Sequence, residues 1–132
     1  MRAYLFEKLE AWQQARALKC SIYQISKSFP LSEKYGLKSQ IERAASSITA
    51  NLAEGAGRAS FKEKIRFVNF AYASALEVLD HLIGAHDLGY IETDKYIECR
   101  FEIDRVVNKI ERFTAYLHKR VNEKIGSEQD KE

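Results

Sequence analysis

The chain has 132 residues, 45% of them hydrophobic and 30% charged, with one Pro, six Gly and two Cys; that fits one domain able to bury roughly two-thirds of its unfolded surface. Its 21 basic and 19 acidic residues leave +2, so any electrostatic role must come from where the charges lie and not from their sum. No apolar run approaches the ~18–20 residues of a membrane span, and Met1 to Glu7 meets charge at once with no signal-peptide core, so a cytoplasmic protein without membrane contact is expected.

Hydrophobic spacing predicts four helices. In the first, Leu9 to Ser28, the residues Ala11, Ala15, Leu18, Ile22, Ile25 and Phe29 recur at steps of three and four. Pro30 ends it, because the residue before a proline is pushed out of the helical region. Cys20 lies in this helix and Cys99 far away in the chain. Without a secretory signal, both are expected to be buried reduced thiols.

The second helix is predicted over Glu33 to Glu54, with Ser32 as N-cap and Gly55 and Gly57 as the stop. Leu37, Ile41, Ala45, Ile48 and Leu52 make its core stripe. Gln40, Arg43, Ser47, Asn51 and Glu54 make a polar stripe beside it, among Ala44, Ala50 and Ala53. Arg43 and Glu54 are about three turns apart and cannot pair within one helix. A polar network at a helix or subunit junction explains the stripe better than a catalytic site, which would need a cleft.

Ser60 and Glu63 have capping-box spacing and open the third helix, which runs to Asp87 and stops at Gly89. One apolar stripe (Phe61, Ile65, Val68, Tyr72, Ala75, Leu79, Leu82, Ile83) is enough to face a core. A second, Phe67, Phe70, Ala71, Ser74 and Val78, lies over about 100° away. A helix apolar on two faces is deeply buried or covered by another chain, so Phe67, Phe70, Ser74 and Val78 are expected at an oligomer interface with Arg43, Ser47, Asn51 and Glu54.

The fourth helix, capped by Thr93 and ending near Lys124, carries the cleanest signal. Tyr96, Cys99, Ile103, Val106, Ile110, Phe113 and Leu117 alternate at steps of three and four. Residues 1–125 therefore form one domain, and the polar tail Gly126 to Glu132 is expected to fray. Short connections make sequential helices antiparallel, which gives an all-α up-down-up-down four-helix bundle.

Catalytic and metal signatures are missing from this pattern. His81, His86 and His118 lack ligand spacing, and Gly55-Ala56-Gly57 lacks the Lys-Ser/Thr of a phosphate loop. A non-enzymatic protein without metal or cofactor is expected. Charge placement says more. The topology gathers Arg2, Arg58, Lys62, Lys64, Arg66, Lys119, Arg120 and Lys124 at one end against Glu7, Glu63 and Glu123, five net positive charges on a molecule of +2. Such an end suits phosphate contacts. No base-reading motif accompanies it, so binding should depend little on sequence.

Several ordered blocks resemble a known family. Leu9-Glu10-Ala11-Trp12-Gln13-Gln14-Ala15, Phe29-Pro30 and Glu33 to Ala45 precede the most specific stretch, Ser47-Ile48-Thr49-Ala50-Asn51-Leu52-Ala53-Glu54-Gly55-Ala56-Gly57-Arg58. With Phe67 to Tyr72 and Leu88-Gly89-Tyr90-Ile91, these resemble the four-helix bundle proteins encoded in 23S ribosomal RNA intervening sequences, over about residues 6 to 120. Ser46 and Thr49 depart from an apolar residue and a proline common there. The resemblance implies a ring, typically a homopentamer, and carries over no catalytic residue. A related group, the accessory variability determinants of diversity-generating retroelements, is similar in fold and binds nucleic acid and a reverse transcriptase through a basic surface. The expected partners are therefore further copies of the chain, ribosomal RNA or other nucleic acid, and in the alternative a partner protein on a ring scaffold.

Overall fold

The computed structural model describes residues 1–130. Its α-helices are α1 Glu10–Ser26, α2 Leu37–Ala56, α3 Phe61–Asp87 and α4 Thr93–Asp130, with 3-10 turns at Leu5–Lys8 and Leu31–Glu33. Close approaches join α1 to α2, α2 to α3, α3 to α4 and α4 to α1. Among the described residues neither diagonal pair touches in this way, so the helices follow one another around a single core as an up-down-up-down bundle.

The core is where the periodicity put it on three helices. Leu18 and Ile22 of α1, Ile41, Ile48 and Leu52 of α2, and Ile103, Val106, Ile110 and Leu117 of α4 are fully buried. Each such side chain contributes about 1.5–3 kcal/mol relative to exposure. On α3 the buried line is instead Val68, Ala71, Ala75, Val78, Leu82 and Ala85. Val78, expected at an oligomer interface, is thus a core residue, while Tyr72 and Ile83, expected in the core, are exposed. The reason is geometric. α3 packs on both α2 and α4, so its buried arc falls between the two apolar stripes that spacing had separated.

Helix ends show how the chain turns. Gly89 has φ +76°, the left-handed region that favours glycine. Tyr90 N donates to Ala85 O at 2.9 Å and Gly89 N to His86 O at 3.0 Å, a Schellman closure of α3. Ser60 Oγ accepts from Glu63 N at 3.1 Å, as its spacing implied. Ser32 does not cap α2. It lies in a 3-10 turn, α2 starts only at Leu37, and Glu33 Oε1 accepts from Leu37 N at 3.3 Å. Thr93 is the first helical residue of α4 and not its cap, and its hydroxyl bonds His86 Nε2 at 3.1 Å.

Gly55 does not stop α2 either. It is buried inside the helix, where a Cβ would sit 3.0 Å from Phe67 Cβ and 3.4 Å from the Lys64 carbonyl of α3. Its lack of a side chain lets the two helices close on each other, and Gly57 provides the C-cap. α4 runs past Lys124 to Asp130, with Val121 and Ile125 beside Phe61 at the start of α3. Lys131 and Glu132, part of the tail expected to fray, lie outside the described residues.

Polar ties also cross the packed helices. Buried Ser26 Oγ of α1 donates to Glu42 Oε2 of α2 at 2.8 Å, and Lys38 Nζ donates to the same oxygen at 2.8 Å. Burial opposes ionisation of Glu42, but the bonds from Lys38 and Ser26 win and hold its carboxyl below the usual range. Ser21 Oγ donates to Glu102 Oε1 of α4 at 3.0 Å. Both cysteines are free thiols, but only Cys99 is buried; Cys20 is exposed, because it lies off the core stripe of α1. Burial, with Glu102 and Glu98 nearby, pushes the Cys99 thiol up to about 11.

Candidate functional site

Apart from Arg2, the basic residues expected at one end come from the α2–α3 connection, the first turns of α3 and the last turns of α4. Arg120 lies 5.2 Å over the ring of Phe61, which brings the end of α4 to the start of α3. Lower on the bundle, Lys109 of α4 pairs with Glu10 at the start of α1 at 2.7 Å. The two contacts are eleven residues apart on α4, so α3 and α4 project about 16 Å beyond the first turn of α1.

Within this tip, several cations already have partners. Arg58 pairs with Glu54 at 2.7 Å and lies 4.5 Å over Phe67. Arg66 reaches Glu63 at 3.7 Å and lies 5.6 Å over Phe70. Arg120 reaches Glu123 at 3.8 Å. Lys64 Nζ donates to the Ala56 carbonyl at 2.8 Å and so closes the C-terminus of α2. Among the described residues Lys62, Lys119 and Lys124 make no ion pair. Arg2 lies 4.9 Å over Tyr4 in the segment ahead of α1.

Two features of this end were missed in the sequence. Glu54 belongs to it, and its i,i+4 spacing to Arg58 was a usable signal. Lys8, Lys109 and Arg112 also meet in a shallow groove at the start of α1. No local pattern foretells that meeting, because α1 and α4 are joined only by the fold.

The second candidate face lies along α2 and α3. Ser47 Oγ and Ser74 Oγ are 2.8 Å apart across the two helices. Asn51 Nδ2 donates to the Ser47 carbonyl at 2.9 Å and to Ser47 Oγ at 3.0 Å, so it steadies that bridge. Phe67 and Phe70 meet edge to face at 5.6 Å, with Phe70 43% exposed. Ser47, Asn51, Glu54, Phe67, Phe70 and Ser74 thus share one face. Arg43 is exposed on the same helix and forms no ion pair among the described residues, while Val78 is buried in the core. A further apolar stripe, unforeseen as a surface, holds Tyr72, Leu76 and Ile83 of α3 at 37%, 44% and 36% exposure.

Among the described residues, no group of three His, Cys, Asp or Glu side chains is placed to hold a metal ion. No helix among them is long and apolar enough to cross a membrane. Comparison with solved structures finds a protein from Bacteroides thetaiotaomicron, described as of unknown function and from the S23 ribosomal protein family. It is 19% identical, covers 79% of this chain and 97% of its own, and has a TM-score of 0.73, which establishes the shared fold. Among curated proteins no relative matches. The family model described as 23S rRNA-intervening sequence protein matches residues 7–112. With most of the chain matched and the four-helix fold in place, the chain belongs to the family of 23S rRNA-intervening sequence proteins.

Proposed function

We propose that this chain is a non-enzymatic, cytoplasmic bundle that assembles with its own copies, as a homopentameric ring, and binds RNA or DNA through its basic tip. The observation that carries the reading is the tip itself: Lys62, Lys119 and Lys124 stand without ion pairs among the described residues, beside Arg58, Arg66 and Arg120. Released counterions would drive such binding, so it should be salt-sensitive and nearly blind to sequence. One subunit offers few phosphate contacts, and a ring repeating the tip would bind by avidity. The α2–α3 face with Ser47, Asn51 and Phe70 supplies a surface for assembly.

A gel-shift series on ribosomal RNA fragments and duplex DNA at low salt tests this. Wild-type protein should shift both, and replacing Arg58, Lys62 and Arg66 with Ala should weaken both alike. No shift at micromolar protein would contradict the reading. A second reading, a scaffold that presents a surface to a partner protein, is favoured by one observation, the exposed Tyr72, Leu76 and Ile83 stripe.

A further inference from the structure

The cations of the basic tip alternate with aromatic rings. Arg58 covers Phe67, Arg66 covers Phe70 and Arg120 covers Phe61, with guanidinium carbons 4.5, 5.6 and 5.2 Å from the ring centroids. Contact with a phosphate backbone requires charge but no rings. Rings beside cations suit unpaired nucleotides, because every base has a π-face and every linkage a negative charge.

One recess of the tip combines the two. Between the first turn of α3 and the last turns of α4 lies a groove of about 310 Å³, lined by apolar Phe61, Val121 and Ile125 and by Lys62, Lys124 and Glu128. Ile125 is half-exposed, so apolar surface on the projecting part of α4 stays uncovered within the chain. Both lysines lack an ion pair among the described residues. Paired bases of a duplex are stacked on their neighbours and cannot enter; a splayed base can. Phe61 and Phe70 are nine residues apart on α3, half a turn around the helix at about 100° per residue. The groove therefore lies on the opposite side of α3 from the face assigned to assembly.

We propose that this groove takes one unpaired base of a single-stranded RNA or DNA against Phe61, with Lys62 and Lys124 on the flanking phosphates. The proposal rests on the nucleic-acid reading of the tip and adds the class of ligand. Fluorescence anisotropy of the full chain at low salt tests it with three labelled probes of about 12 nucleotides: a single-stranded RNA, the same backbone made abasic, and a blunt duplex. The intact single strand should bind about tenfold more tightly than the abasic strand. Phe61→Leu, which keeps the apolar packing but removes the ring, should erase that advantage and leave abasic and duplex binding unchanged; Phe61→Trp should retain it. Equal binding of intact and abasic strands overturns the groove assignment and leaves the phosphate reading of the tip standing, as does a Phe61→Leu chain that keeps its preference. If none of the probes binds, both fall.

Discussion

At the residue scale, the structure shows which polar groups stabilise the bundle. Glu42 is the clearest case, since it receives Ser26 from α1 and Lys38 from its own helix on one oxygen. Its carboxyl is held below the usual range, so the folded state binds a proton there less readily than the unfolded chain. The stabilisation is then present above the unfolded value, near 4.5, and lost as pH falls through the lower folded value. Glu42→Gln should cost about 1–2 kcal/mol at pH 7. Urea melts of both proteins should differ at neutral pH and converge at strongly acid pH. A gap that stays constant between the two would show that the charge on Glu42 contributes nothing. Little of this was legible in advance. Ser26 follows Ile22 by four residues and continues the buried line of α1, so spacing places it inside, but its partner Glu42 is on another helix, which spacing within α1 cannot report.

At the scale of elements, helix existence and connection order were readable because each helix has a stripe of apolar residues at steps of three and four. Along the a/d seam of α4, Cys99, Ile103, Val106, Ile110 and Leu117 are buried as their spacing implied, and Phe113 is partly buried. Faces were harder. On α3, Val78 and Tyr72 exchanged places relative to expectation, since both edges of the helix are apolar and only the neighbours α2 and α4 decide which is covered. Glycine was ambiguous in the same way: Gly55 reads as a stop, yet it is a packing residue where α2 meets α3. Gly84 of α3 has no heavy atom within 4 Å of an added Cβ. Gly84→Ala should therefore stabilise the chain by about 0.5–1 kcal/mol through helix propensity, while Gly55→Val should destabilise it by about 1–3 kcal/mol through overpacking. Thermal melts of the pair decide it, and a harmless Gly55→Val would mean that α2 and α3 do not approach as closely as described.

At the scale of the whole molecule, the bundle leaves two surfaces that the proposed function uses. The α2–α3 face carries the exposed Phe70 and the Ser47–Ser74 bridge, and is the face proposed for assembly. If it is an assembly face, Phe70→Glu should dissociate the oligomer, since an unpaired buried carboxylate costs several kcal/mol. Sedimentation at micromolar concentration should then show a large species for the wild type and one of about 15 kDa for the variant; a wild-type monomer would remove the assembly. The basic tip was only half legible in the sequence. Topology gave its place, but the pairing of Arg58 with Glu54 and the projection of α4 beyond α1 emerge only when the helices are set side by side.

The tip's role in binding phosphate is the central claim, and the salt dependence of affinity tests it most directly. Anisotropy with a duplex DNA probe across a range of salt should give a log–log slope that grows with the number of phosphates neutralised, roughly 0.9 for each one. Replacing Lys62, Lys119 and Lys124 with Ala should make that slope shallower by about 0.9 for each phosphate that a lysine of the bound subunits no longer neutralises, with the assembly intact. A slope unchanged by the three substitutions, or no binding by the wild type at low salt, would contradict the account.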